Sequence, residues 1–324
     1  MTGWTGTGTP ASAHAAFAMH RTRMSSTCLP IAPEPTTWLH SAARLVTRIQ
    51  QLFPAPAPDQ QEHPVPPANA THEFMPSSPP PPLGPRRHLH IASTPAAVAQ
   101  ACAEEIARRV RGAARAARPH LTIAFSGGTT PATMFRSLAQ QILGDPEMAA
   151  GWARTHVFQI DERIAPDGDP QRNANELLAL LLDPTDVSAA HRHLMPVNST
   201  DPPSLYARTL ERIAPRGLDV AVLGLGDDGH TASLVPGDAV LNVTDAPVAL
   251  TGVYRGTRRL TLTRAALDRA GIVVWLVTGA AKAEPLRRLM DGDRTIPAGL
   301  VGAPDQIVFA DHDAAALVSG RPGS

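Results

Sequence analysis

Lysine is nearly missing from this 324-residue chain. Of its 29 basic side chains, 28 are arginine and one is Lys282. Arginine therefore carries the ordinary surface charge, and the single lysine stands out. Cysteine is almost as scarce, with Cys28 and Cys102 the only two. That excludes a disulfide scaffold and a cysteine-ligated metal cluster, and it suits a reducing, cytoplasmic compartment. Net charge is absent: 29 acidic residues balance the 29 basic ones. Without a dense basic patch, nucleic acid is not an expected partner. No apolar run approaches the roughly 20 residues of a membrane helix, so no membrane association is expected.

Proline is the opposite case. There are 33, about a tenth of the chain and roughly twice the usual share, and 16 of them fall in residues 1–88. The runs PAPAP, PVPP and SSPPPP resist helix and central strand, because proline fixes φ and lacks a donor. Residues 1–87 are therefore expected to be a disordered Pro-rich extension, with 38–53 (WLHSAARLVTRIQQLF) able to form a short amphipathic helix. Few acids, together with Arg21, Arg23, Arg44 and Arg48, also admit a transit peptide, and Met75 would serve as an alternative start. Residues 88–324 are expected to form a single domain. With 43% hydrophobic and 18% charged residues, the chain can build a sizeable core.

From His88 onward, strands and helices alternate. HLHIA, LTIAF (121–125), HVFQI (156–160), LDVAVLGLG (218–226), PVALTGV, RLTLT, IVVWLVTG and QIVFA read as strands. Helical spacing covers 96–117, 131–142, 175–182, 204–213, 264–269 and 281–290. This pattern predicts an α/β fold, a mostly parallel Rossmann-like sheet with helices on both faces. In such sheets the ligand crevice lies beyond the carboxyl ends of the strands.

Three loops occupy that position. Ser126-Gly127-Gly128-Thr129-Thr130-Pro131 follows a strand and opens a helix. Its glycines let backbone approach a ligand, and a helix N-terminus offers free N–H groups and a positive dipole end. It reads as a phosphate site or as an ordinary capped turn. It is not a Walker loop, since no GK[ST] follows. Asp161-Glu162-Arg163 places two carboxylates and a guanidinium at the next strand end, and Arg172-Asn173-Ala174-Asn175 follows. Arginine suits bidentate binding of phosphate or carboxylate; the alternative is a surface charge cluster.

The third loop is Gly224-Leu225-Gly226-Asp227-Asp228-Gly229-His230-Thr231-Ala232-Ser233. It contains GxGxxG, but two aspartates would face a pyrophosphate with like charge, so the dinucleotide reading is discounted. What remains is His230, two residues after Asp228, which reads as a general base or as a solvated loop histidine. Histidine is the usual general base near neutral pH, and a carboxylate can orient it. Lys282 sits at a helix start, where a cation opposes the helix dipole, which hints at ligand contact. Arg259 opens RLTLT and reads as a surface strand charge or as a further cation converging on the same crevice. His88, His90, His191 and His193 read as surface or strand residues.

Taken together, these loops resemble the 6-phosphogluconolactonase family of the glucosamine-6-phosphate isomerase/6-phosphogluconolactonase superfamily. The matching segments are AFSGGTTPATMF, QIDERIAPDGDPQRNANELL, LDVAVLGLGDDGHTASLVPG, RLTLTRAAL and VTGAAKAEPLRRL, in family order across about residues 88–318. Departures are small. Ile164-Ala165-Pro166 stands where many members have a hydrophobic-Pro pair, Asp227 where many have Pro or Glu, and Val235 where many have Phe. The deaminases of the same superfamily continue after their DGH with an IAFNEPG-like run, where this chain reads TASLVPG. They also carry an aromatic after their acidic pair, where this chain has Arg163.

The resemblance implies a catalytic domain that hydrolyses 6-phospho-D-glucono-1,5-lactone to 6-phosphogluconate in the oxidative pentose phosphate pathway. It implies no metal and no redox cofactor, and a monomer or small homo-oligomer in the cytoplasm. His230 is expected to be the general base and Asp228 its orienting partner. Arg163 is expected at the oxyanion or at the phosphate. Substrate contacts are expected from Ser126, Gly127, Gly128, Thr129, Thr130, Asp161, Glu162, Asn173, Gly226, Gly229, Arg259 and Lys282. Three alternatives stay open: Ser126 as a nucleophile, an amino-sugar phosphate deaminase or isomerase, and a non-catalytic sugar-phosphate sensor.

Overall fold

The structure, a computed structural model, describes residues 84–318. They belong to one compact unit, Pro76–Ser324. Nearly all of residues 1–87, including Met75 and the stretch 38–53 expected to be able to form a helix, lies outside the described residues.

Ten strands follow in chain order: β1 Arg86–Ala92, β2 Leu121–Phe125, β3 Thr155–Gln159, β4 Asp161–Arg163, β5 Arg192–His193, β6 Val220–Gly224, β7 Val248–Leu250, β8 Arg259–Leu262, β9 Ile272–Val277 and β10 Asp305–Asp311. Seven form one sheet in the order β1-β10-β9-β6-β2-β3-β5, and every neighbouring pair is parallel. The other three form an antiparallel sheet, β4-β8-β7. All five residues of β2 and all six of β9 are buried. Continuous apolar runs of this kind are what a parallel strand covered on both faces requires.

Side chains alternate between two cores, as the two-residue period dictates. Ile123, Phe125, Val222 and Val274 face one core, lined by α1 (Pro95–Arg115), α2 (Thr129–Gly144) and α3 (Pro146–Trp152). Ala124, Leu223, Val273 and Trp275 face the other, closed by α5 (Pro202–Ile213), α6 (Arg264–Leu267), α7 (Ala283–Met290) and the small sheet. A short helix α4, Asn173–Leu177, runs on into a π turn over Leu178–Leu182.

The α/β fold with a parallel sheet and helices on both faces is as expected. Three details differ. First, β1 begins at Arg86, ahead of the HLHIA run. Second, α3 has no counterpart in the reading of the sequence. It starts because the Asp145 carboxylate accepts the N–H groups of Glu147 (2.9 Å) and Met148 (3.2 Å), with Pro146 in the first turn. Third, Asp161–Arg163 is a strand rather than a loop, and RLTLT pairs antiparallel with it on one side and with PVALTGV on the other instead of extending the main sheet. A two-residue turn makes that pairing: Arg255 and Gly256 take φ of 49° and 86°, while Tyr254 and Thr257 bridge across it.

After β2 the chain winds through β3 to β5. After β6 it winds the other way, through β9 to β10. The crevice between the diverging loops after β2 and β6 is the topological switch point where such sheets bind ligands.

Candidate active site

A cleft of about 320 Å³ opens at that point. Its walls come from Ser126–Pro131, from Asp161, Arg163 and Asn173, from Gly224–Asp227 with His230 and Ala232, from Arg255 and Arg259, and from Leu276, Thr278 and Lys282.

The loop 224–233 holds the histidine. His230 Nδ1 lies 2.5 Å from Asp228 Oδ1, which also accepts the His230 backbone N–H at 3.0 Å. The second Asp228 oxygen accepts the Tyr254 hydroxyl at 3.0 Å. Burial alone would raise the Asp228 carboxyl, but the hydrogen bonds from His230 and Tyr254 outweigh it and hold it below the usual carboxylate range. With Nδ1 committed to Asp228, Nε2 has no protein partner among the described residues, and the ring borders the cleft. Gly226 makes this arrangement fit: a Cβ there would lie 2.0 Å from His230 Nδ1 and 2.7 Å from Asp228 Oδ1. Loop closure is backbone-made, with Gly226 N–H donating to His230 O at 2.7 Å.

The opposite wall is the start of α2. Gly128 caps it without a side-chain acceptor, so the first N–H groups of the helix and its positive dipole end face the cleft. Thr130 Oγ1 meets Thr278 Oγ1 at 3.0 Å and ties this loop to the end of β9. A Cβ on Gly127 would collide with Asn173 Oδ1 at 2.2 Å, so glycine lets the loop lie against α4.

The third wall carries the cations. Arg163 and Arg259 are direct cross-strand partners in the small sheet. Like charges opposite one another are unfavourable unless something anionic sits with them. Burial, then the neighbouring Arg163, lowers the Arg259 guanidinium from its usual range. Asp161 lies beside both arginines and is fully buried; its carboxyl accepts the Ser233 hydroxyl at 2.5 Å and an Asn173 amide N–H at 3.2 Å. Burial nonetheless pushes that carboxyl up. Ser126 Oγ, Arg163 Nε and Arg259 Nε are buried without a hydrogen-bond partner among the described residues. All three residues line the cleft. Lys282 reaches it from the turn that precedes α7.

Most residues singled out in the sequence thus converge: Ser126, Gly127, Gly128, Thr129, Thr130, Asp161, Arg163, Asn173, Gly226, His230, Arg259 and Lys282 all line the cleft. Asp228 does not, and reaches the site through His230. Two expected contacts need correction. Glu162 is fully buried and faces inward. It accepts the N–H groups of Arg163 (2.7 Å), Asn173 (2.8 Å) and Ala174 (2.9 Å) and pairs with Arg172 at 3.2 Å, so it caps α4 instead of meeting substrate. Gly229 also turns away: its φ is +82°, its carbonyl accepts Ala298 N–H at 3.0 Å, and a Cβ would strike Ile296.

Thr278, Arg255 and Tyr254 were missed. Thr278 directly follows β9, a position the strand-end rule covers. Tyr254 and Arg255 sit in a hairpin turn whose antiparallel pairing the sequence reading did not foresee. Asp227, Asp228 and His230 bring ligand atoms within 4.8 Å of one another, the arrangement a divalent cation would use, but His230 Nδ1 already serves Asp228.

Residues 93–309 match the family described as glucosamine-6-phosphate isomerases/6-phosphogluconolactonase. A 6-phosphogluconolactonase of Synechocystis is 38% identical over 175 residues, covering 51% of this chain and 69% of that one. The 6-phosphogluconolactonase of Rhizobium meliloti is 36% identical over 211 residues, covering 61% and 85%. The crystal structure of a Thermotoga maritima 6-phosphogluconolactonase superposes with a TM-score of 0.61 at 25% identity, covering 70% of this chain and all of that one.

Proposed function

The chain belongs to the family of glucosamine-6-phosphate isomerases and 6-phosphogluconolactonase, and from that premise we propose how it hydrolyses 6-phospho-D-glucono-1,5-lactone. The observation that carries the mechanism is the Asp228–His230 pair. One imidazole nitrogen is fixed at 2.5 Å by a carboxylate, and the other is free toward a cleft rich in cations and N–H donors.

His230 takes a proton from water through Nε2 as the water oxygen attacks C1 of the lactone. Asp228 holds the tautomer and stabilises the imidazolium that forms. The negative charge developing on the C1 oxygen is met by N–H groups of the glycine loop or by Arg163. The tetrahedral intermediate then collapses with cleavage of the C1–ring oxygen bond, and His230 returns the proton to that oxygen. Product is the open-chain acid. The start of α2, Arg259 and Lys282 grip the 6-phosphate, by helix dipole and direct ion pairing.

Water, not Ser126, is the nucleophile. A serine nucleophile needs its hydroxyl on the base, and among the described residues Ser126 Oγ makes no hydrogen bond with His230. No step calls on a metal or a redox cofactor. We infer a monomer or a small homo-oligomer. We place the enzyme in the cytoplasm, without a nucleic-acid partner, in keeping with its scarce cysteine and balanced charge. Among the described residues no helix is long and apolar enough to cross a membrane.

The test is turnover of freshly generated lactone, followed by coupled oxidation of the 6-phosphogluconate released. Turnover above spontaneous hydrolysis is expected, with no ammonia released from glucosamine 6-phosphate. Ammonia release without lactone turnover would assign the cleft to deaminase chemistry instead.

A further inference from the structure

The hairpin turn between β7 and β8 touches the catalytic loop twice, and neither contact follows from the mechanism above. The Tyr254 hydroxyl donates to Asp228 Oδ2 at 3.0 Å, and Arg255 Nη2 approaches Asp227 Oδ1 at 3.4 Å. The turn is also strained: Arg255 holds a φ of 49°, a conformation that such turns normally give to Asn, Asp or Gly. A turn built from easier residues would form the same hairpin. The cost is tolerated where it carries two side chains to the site.

Tyr254 has three further contacts. Its ring packs edge-on against the His230 imidazole, with centroids 5.5 Å apart and planes at 64°. The guanidinium of Arg259 lies over the ring, 5.0 Å from its centroid, and that of Arg255 lies 5.2 Å away. One residue therefore meets the general base, its carboxylate and a phosphate-binding arginine. Burial, then Asp228, raises the phenol, so it stays a donor at any working pH.

We propose that Tyr254 is a positioning residue for the hydrolysis: its hydroxyl occupies the second oxygen of Asp228, fixing the carboxylate so that the first oxygen aligns His230. The proposal rests on the reading of His230 as the base. Without that hydroxyl, Asp228 keeps its contacts with His230 but gains freedom to rotate. It also carries more uncompensated negative charge against the imidazole. The imidazolium is then held more tightly, which opposes release of the proton at neutral pH. Asp227, Arg255 and Arg259 also act around Tyr254, and Asp161, Arg163 and Lys282 share the cleft with His230; removing the hydroxyl removes none of these charges.

Tyr254→Phe keeps the ring, its stacking on Arg259 and its edge against His230. The expected result is a fall in kcat of about 3- to 10-fold, a modest effect because the pair is partly solvated. KM should stay within about twofold, and the acidic limb of the kcat/KM profile should move to higher pH. Melting temperature and calorimetric binding of 6-phosphogluconate should match the wild type. Tyr254→Ala should add a rise in KM, through the lost stacking on Arg259. A Tyr254→Phe profile superimposable on the wild type would overturn the proposal. So would a fall in kcat that tracks a lowered melting temperature while the acidic limb stays put. Failure of the underlying reading looks different: the wild type itself would not turn over the lactone, or His230→Ala would match it.

Discussion

At the residue scale, the site depends on how closely His230 lies against backbone. Gly226 is the sharpest case, since an alanine Cβ would sit 2.0 Å from His230 Nδ1. Gly226→Ala should displace the imidazole and lower kcat by about 10²-fold, the usual consequence of a misplaced catalytic group. Circular dichroism should be unchanged, and calorimetry should still register 6-phosphogluconate. Asp228→Asn keeps the shape but can present an N–H to Nδ1 and so select the wrong tautomer. A loss of up to about 10⁴-fold in kcat is expected, with KM little changed. The chemistry-bearing residues of this loop were legible in the sequence because a strand, a glycine pair and a carboxylate two residues before a histidine are local features. Glu162 was misread for the opposite reason. Next to Asp161 and Arg163 it looks like part of one charged cluster, and only strand alternation sends it inward while its neighbours line the cleft.

At the element scale, that inward carboxylate organises the wall carrying Asn173. Glu162 accepts the two opening N–H groups of α4 and pairs with Arg172, all buried. Glu162→Ala would leave those donors unpaired and remove the buried one of Arg172's two carboxylate partners, with only the exposed Asp167 left at 3.1 Å. A loss of about 3–5 kcal/mol in unfolding free energy is expected by denaturant titration. A change under about 1 kcal/mol would show that the cap is dispensable. The small antiparallel sheet was the least legible element. Its strands look like any others in an alternating α/β pattern, and their pairing depends on a two-residue turn built on Arg255-Gly256 rather than the usual Asn-Gly or Asp-Gly. That is why Tyr254 went unnoticed. The parallel strands were plain by contrast, since burial on both faces writes them as unbroken apolar runs.

At the scale of the whole molecule, stability has a pH dependence set away from the cleft. His156 Nδ1 and His193 Nε2 share a contact of 2.8 Å on the β3–β5 edge, with His191 and His120 packed against His156. One nitrogen of the pair must accept, so protonating both rings breaks the contact. Burial first, then neighbouring histidines and Arg212, pushes both groups down to about 4. Unfolded histidine titrates near 6.5, so between about 6.5 and 4 the unfolded chain binds more protons than the native one. Stability is therefore full above about 6.5 and declines as pH falls through that window. Melting temperatures at pH 7.5 and 5.0 should differ more for the wild type than for His156→Gln. Equal differences would remove the pair from the account. From the sequence, His191 and His193 read as surface or strand residues, because nothing local marks His156 and His120 as their neighbours. The mostly parallel fold and the location of the cleft were legible, since topology follows from alternation and the switch-point rule follows from topology.

The central claim is that His230 is the base of the lactone hydrolysis, and one comparison tests it most directly. Wild type and His230→Ala are assayed side by side on freshly generated 6-phospho-D-glucono-1,5-lactone, with spontaneous hydrolysis subtracted. The account predicts a loss of about 10²–10⁴-fold in kcat, with 6-phosphogluconate still bound by the variant. Turnover by His230→Ala equal to that of the wild type would contradict it.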